Sequence, residues 1–170
     1  MPHVTFRSED GPPNGAGLRI AVLVARWYPE VTDRLREAAL STLAEAGVKD
    51  DDVIVVEVPG CFELPQAATW IARAALADGV VALGCVLRGE TPHFEYVAGQ
   101  CAEGCMRAAQ ESGIPVAFGV ITADSRDQAE ARSQDTGGGI STKGGNKGAE
   151  AADAAIRMAA IYRRLEDWRR

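Results

Sequence analysis

The chain has 170 residues and a mass of 18.0 kDa, the size of one ordinary domain and above the range in which a fold depends on disulfides or metals. Hydrophobic residues make up 46% and charged residues 25%, which excludes an extensively disordered or fibrous chain. Eighteen basic against 24 acidic side chains leave a formal charge of −6, so a nucleic-acid or anionic-lipid surface is not an expected partner and small molecules are.

One domain is expected over residues 1–170, with 1–17 as an N-terminal arm and linker. Residues 10–17 are rich in proline and glycine and cannot hold regular structure, so residues 3–6 form a short arm that packs on a neighbouring subunit or stays loose. The first 17 residues are polar, without the apolar stretch of a secretory leader, and no run approaches the ~20 apolar residues of a transmembrane helix. A cytoplasmic, reducing setting is therefore expected. The four cysteines, Cys61, Cys85, Cys101 and Cys105, fit neither a redox C-x-x-C nor paired zinc knuckles and read as buried thiols.

Beyond the linker, residues 18–25 are apolar and β-branched, the mark of a strand covered on both faces. Val31, Leu35, Ala38, Ala39, Leu43 and Ala46 then recur at helical spacing, and Gly47 stands where a helix end needs a left-handed residue. Residues 53–58 predict a second strand, 62–76 a helix with Pro65 in its first turn, and 80–87 a third strand. A helix over 92–111 places Phe94, Val97, Cys101, Cys105 and Ala108 on one face. Residues 115–121 predict a fourth strand, 126–132 a short helix and 148–165 a long closing one. Strand and helix alternate, which predicts an α/β sandwich with a parallel sheet, helices on both faces and right-handed crossovers. Ligands bind such sheets at the carboxyl ends of the strands, so function is expected in the four loops that begin at Arg26, Pro59, Arg88 and Thr122.

The third loop, Gly89-Glu90-Thr91-Pro92-His93, runs from a buried strand into a helix whose first turn offers backbone N–H groups and the positive end of a dipole to an anion. Thr91 is placed to cap that helix through its hydroxyl. The chain has two histidines, His3 and His93, and His93 stands where a bound ligand would exchange protons. An exposed first-turn histidine without such a role is equally compatible with the pattern. Glu63 in the second loop suits a helix N-terminus in any case, and Trp27 in the first has a face that can stack on a flat heterocycle. A glycine-rich stretch from 135 to 148 lacks the spacing of a Walker loop. It does carry Lys143 and Lys147, two of only three lysines in the chain, with Arg132 upstream.

Four blocks occur in order and at the right spacing: Gly60-Cys61-Phe62-Glu63-Leu64-Pro65, the run from Gly84 to Val97 containing Gly89-Glu90-Thr91-Pro92-His93-Phe94-Glu95-Tyr96-Val97, Pro115 to Val120, and Gly145-Asn146-Lys147-Gly148. Together they resemble the 6,7-dimethyl-8-ribityllumazine synthase family from about Leu18 to Leu165. The resemblance implies a flavodoxin-like three-layer α/β/α sandwich with a four-stranded parallel sheet in the order 2-1-3-4, assembled as pentamers and in some members as icosahedral shells. It also implies the penultimate step of riboflavin synthesis, in which 5-amino-6-(D-ribitylamino)uracil condenses with 3,4-dihydroxy-2-butanone 4-phosphate and phosphate and water leave. No redox change occurs, so neither flavin nor metal is implied as a cofactor.

Carried over by motif, His93 is the proton-transfer residue. Trp27 takes the place of the aromatic stacked on the pyrimidine, Cys61, Phe62 and Glu63 line the ribityl side, and Cys85, Val86 and Leu87 lie next to the ring. Phe118 closes the pocket from a neighbouring subunit and Lys147 lies near the ribityl chain, while Glu90, Thr91 and Arg132 hold the phosphate. Two departures from the family pattern stand out. Ten residues, 133–142, separate Arg132 from Lys143 where the family has a very short link, a feature associated with free pentamers. Trp27 replaces the more common phenylalanine and suggests tighter binding of riboflavin or product. A non-catalytic riboflavin- or lumazine-binding protein on the same fold is the alternative, and a structural shell protein a third reading.

Overall fold

The elements follow the order that the hydrophobic pattern predicts. In the computed structural model, which describes residues 4–7, 12–134 and 145–168, they are β1 (Ile20–Ala25), α1 (Pro29–Glu45), β2 (Val53–Val58), α2 (Leu64–Arg73), β3 (Gly79–Leu87), α3 (His93–Ser112), β4 (Val116–Ala123), α4 (Arg126–Ser133) and α5 (Lys147–Trp168). His3 and the glycine-rich residues 135–144, Lys143 among them, lie outside the described residues, so the 133–142 insertion is described only at Ser133 and Gln134.

All four strands are parallel, in the order β2-β1-β3-β4. The inner strand β1 divides its side chains between two cores. Ile20, Val22 and Val24 face α1, α4 and α5, whereas Ala21, Leu23 and Ala25 face α2 and α3. No residue of β1 is more than 2% exposed, and each large aliphatic side chain so buried contributes roughly 1.5–3 kcal/mol. The result is a three-layer α/β/α sandwich. Among the described residues no helix is long and apolar enough to cross a membrane.

Helix ends explain where the observed boundaries differ from the predicted ones. α1 ends as expected: Gly47 takes a φ of 84°, and the N–H of Val48 reaches back to the carbonyl of Leu43 at 3.0 Å. α2 stops at Arg73 rather than at 76 because Ala75 adopts the left-handed conformation, φ 52°. The N–H groups of Ala75 and Leu76 then close onto the carbonyls of Ala72 and Ile71, at 3.0 and 3.1 Å, the same closure achieved without glycine. The arm lies on its own chain: the Phe6 ring meets Trp168 edge-on at 6.2 Å, with the Arg164 guanidinium 5.5 Å from the Phe6 ring centre.

At the amino edge of the sheet, away from the loops that follow the strands, Asp78 ties β1 to α5. It accepts from the Arg19 N–H at 2.8 Å, from the Arg19 guanidinium at 3.1 Å and from Arg163 at 3.0 Å. Burial pushes its pKa up, but these donors outweigh it and hold the carboxyl below the usual aspartate value. The ionised form therefore contributes stability at neutral pH that is lost as pH falls through the depressed pKa. Asp78→Asn is expected to cost about 1–2 kcal/mol at pH 7. In urea unfolding, the gap between the variant and the unaltered chain should narrow once the pH drops below about 4. A gap that is constant from pH 7 to pH 3 would show that the charge of Asp78 contributes nothing.

Candidate active site

The carboxyl ends of β1, β2 and β3 open onto one cavity of about 580 Å³, at the point where the strand order reverses across β1. Trp27 and Tyr28 arrive from the turn after β1. That turn is tight because Tyr28 takes the left-handed conformation, φ 60° and ψ 61°, which costs a non-glycine residue about 1 kcal/mol or more. Its carbonyl accepts the N–H groups of Val31 and Thr32, at 2.9 and 3.0 Å, and so starts α1. Trp27 is left 66% exposed at the cavity.

Gly60, Cys61, Phe62 and Glu63 come from the turn after β2. A Cβ on Gly60 would stand 3.2 Å from Glu63 Oε2 and 3.3 Å from Trp27 Cδ1, so the bare backbone here lets a carboxylate and an indole close in from two sides. Phe62 is 57% exposed, while Cys61 is buried and its thiol donates to the Cys85 carbonyl over 3.6 Å. Burial pushes the Cys61 thiol up to about 12 and the Cys85 thiol up to about 11. Both stay protonated near neutrality and form a wall, not a pair of nucleophiles. Behind them Cys101 is also held protonated, by its hydrogen bond to Cys105 and by burial.

Cys85, Val86 and Leu87 end β3, and Gly89 and Thr91 lead to His93, the first residue of α3. His93 is exposed on the cavity wall. Thr91 does not cap the helix, contrary to expectation. Pro92 occupies the N-cap position in helical conformation, φ −62° and ψ −1°, and no side chain caps α3. One residue further out, the Thr91 hydroxyl is not at the capping position. In the opening turn the Glu95 N–H closes onto the Pro92 carbonyl at 3.0 Å, while the N–H groups of His93 and Phe94 precede the first intrahelical acceptors.

The cavity thus gathers Trp27, Cys61, Phe62, Glu63, Cys85, Val86, Leu87, Thr91 and His93 from three loops and one helix start. Four other sequence candidates stand off its wall in the single chain. Glu90 is exposed in the loop. Phe118, 42% exposed on the edge strand β4, shares the α2/α3 face of the sheet with Val116 and Val120. Arg132 donates to the Gln128 carbonyl of its own helix at 2.8 Å, and Lys147 pairs with Glu150 at 2.6 Å. The fourth loop, expected among the functional ones, does not line the cavity either. It braces the others: Asp124 holds Arg88, and Arg126 holds Glu30 at the start of α1, which keeps the Glu30 carboxyl below its usual pKa.

Sequence reasoning missed Tyr28, Phe94, Tyr96 and Val97 on the wall. Helical spacing could have found two of them, because Tyr96 and Val97 lie three and four residues after His93 and share its face. Phe94 and Val97 share a face with Cys101, Cys105 and Ala108, as the spacing predicts, and both are half-buried, with one side against the α2/α3 core.

A match to the family described as 6,7-dimethyl-8-ribityllumazine synthase spans residues 17–163. The chain belongs to this family. Lumazine synthases are transferases of riboflavin biosynthesis, and the matched span contains all four strands and every residue on the cavity wall. The parallel 2-1-3-4 sheet between two helical layers is consistent with the lumazine synthase fold.

Proposed function

We propose that this lumazine synthase family member condenses 5-amino-6-(D-ribitylamino)uracil with 3,4-dihydroxy-2-butanone 4-phosphate to 6,7-dimethyl-8-ribityllumazine, releasing phosphate and water in the penultimate step of riboflavin synthesis. The observation that carries this reading is His93 on the wall of a cavity that also presents a carboxylate, Glu63, and an exposed indole, Trp27. A flat heterocycle with a polyhydroxyl tail suits a stacking surface beside a carboxylate acceptor. Imine formation, phosphate elimination and ring closure each move a proton near neutrality, which the His93 imidazole supplies. Holding two substrates in one cavity supplies the rest of the acceleration.

In this proposal Cys61, Phe62 and Glu63 take the ribityl side, with Cys85, Val86 and Leu87 beside the ring. Glu90, Thr91 and Arg132 take the phosphate. Phe118, exposed on an edge strand, closes the pocket of a neighbouring subunit, and Lys147 approaches the ribityl chain within the assembly. The assembly proposed is a cytoplasmic homopentamer, with the insertion at 133–142 opposing growth into a shell. No nucleic acid or membrane enters the scheme.

Mixing the purified protein with both substrates and following lumazine absorbance together with phosphate release is the direct test. Acceleration over the uncatalysed condensation is the expected result. Tight binding of riboflavin or lumazine without acceleration would replace the enzyme with a binding protein.

A further inference from the structure

α3 carries His93 at its first position, yet its own hold on that turn is backbone only, the Glu95 N–H donating to the Pro92 carbonyl at 3.0 Å. Among the described residues no side chain caps it and a Cβ on Gly89 would meet nothing within 4 Å, and residues 88–93 are all exposed. The side-chain hold on the turn comes from one residue behind the cavity. Arg88 follows directly on β3, and its N–H donates to the Ala123 carbonyl at 2.9 Å, which extends the β3–β4 ladder by one rung. Its backbone is therefore set by the sheet.

From that anchor the guanidinium uses both its edge and its face. Nε donates to Asp124 Oδ1 at 2.7 Å and Nη1 to Glu95 Oε1 at 2.5 Å, while the planar group lies 4.3 Å from the centre of the Phe94 ring. Asp124 is itself held, since its N–H donates to Gln128 Oε1 at 3.1 Å and the Gln128 N–H donates to Ser125 Oγ, the cap of α4. Phe94 and Glu95 are the two residues that follow His93. Arg88 is not on the cavity wall, whereas His93 and Phe94 are.

The geometry points to Arg88 as a positioning residue, whose guanidinium clamps Glu95 and Phe94 against Asp124 and so sets where α3 begins and where His93 stands in the cavity. The task requires a planar fork with a stackable face, which a lysine ammonium lacks. Stability is not its main effect, because exposed ion pairs contribute little to folding. Placement is, because a shift of about 1 Å in a reacting group costs on the order of a hundredfold in rate.

The kinetic half of this inference rests on the proposed condensation; the structural half does not. In Arg88→Met and Arg88→Lys, hydrogen exchange of the bonded amides in the first turns of α3, residues 95–100, should rise at least ~5-fold while exchange in α1 and α5 stays as it was, the signature of a turn released locally. The same variants should lose at least ~10-fold in kcat with KM for either substrate changed less than ~3-fold. The melting temperature should move by no more than about 3 °C. Unchanged exchange over 95–100 overturns the proposal, as does an Arg88→Lys variant equal to the unaltered chain, or exchange raised throughout the molecule. Should Arg88→Met fail to fold, Asp124→Asn and Glu95→Gln each release one arm of the clamp and are read by the same exchange measurement. Absence of turnover in the unaltered protein would count against the reaction and leave the exchange test standing.

Discussion

Replacing His93 with glutamine is expected to lower kcat for lumazine formation by about 10²–10⁴-fold, the usual contribution of a positioned acid–base group. His93 is one of two histidines in the chain, and among the described residues it is the one side chain of that chemistry on the cavity wall. Among the described residues Glu63 is the only carboxylate there, and the two wall thiols are held protonated by burial. Glutamine preserves hydrogen bonding and approximate size but cannot take up and return a proton. Because His93 is exposed, the melting temperature should be nearly unchanged, and binding of the pyrimidine substrate, followed by tryptophan fluorescence, should persist. A variant that turns over at the original rate would remove His93 from the mechanism. One that no longer binds the pyrimidine would make it a binding residue.

The largest loss of stability is expected from Gly148→Ala. α5 crosses α1 so closely that an added Cβ would collide with the Leu35 carbonyl oxygen and stand 2.7 Å from its carbonyl carbon and 2.8 Å from its Cα. All three are backbone atoms of a buried residue, so no side-chain rotation relieves the contact and the helices must separate. The expected cost is about 3 kcal/mol or more, equivalent to roughly 10 °C in melting temperature for a chain of this size. Gly99→Ala is the matched control. It also lies inside a helix, but its Cβ would meet nothing within 4 Å, so the better helix propensity should leave it unharmed or about 0.5–1 kcal/mol more stable. Equal effects at the two positions would mean that the close crossing of α1 and α5 is not what Gly148 provides.

The same crossing changes the reading of the block Gly145-Asn146-Lys147-Gly148. As sequence it directs attention to its lysine. In the fold, Asn146 and Gly148 are structural: the buried Asn146 amide donates to the Ser133 carbonyl at 2.5 Å and accepts the Gly148 N–H at 2.8 Å, joining α4 to the first turn of α5. A motif can thus hold a proposed binding residue and the packing that supports it within four positions.

Much of the site was legible before the fold. Alternating apolar runs and helical spacings, with Gly47 as a stop, are local patterns, and local patterns are enough to order the strands and helices of a doubly covered sheet. The loops after all four strands then follow as the expected functional edge; Trp27, Glu63 and His93 fall on it, while the loop after β4 stands off the cavity. Arg88 was not legible as a clamp, because its partners Asp124 and Glu95 are 36 and 7 residues away and no periodicity links them. Phe94 and Val97 fall on the face that their spacing predicts, but spacing does not reveal that the core ends beside them and the cavity begins.

By itself, then, the sequence determined the element order, the family and the residue types that the proposed chemistry would use, because each is written in neighbouring positions and short motifs. Tertiary structure alone decided that Thr91 stands outside the helix cap, that α2 ends on a left-handed alanine, and that Gly148 is a contact point. It alone decided, too, that His93 is held from behind by an arginine outside the cavity. These depend on distances between backbone atoms and charges far apart along the chain, and only packing brings such groups within reach of one another.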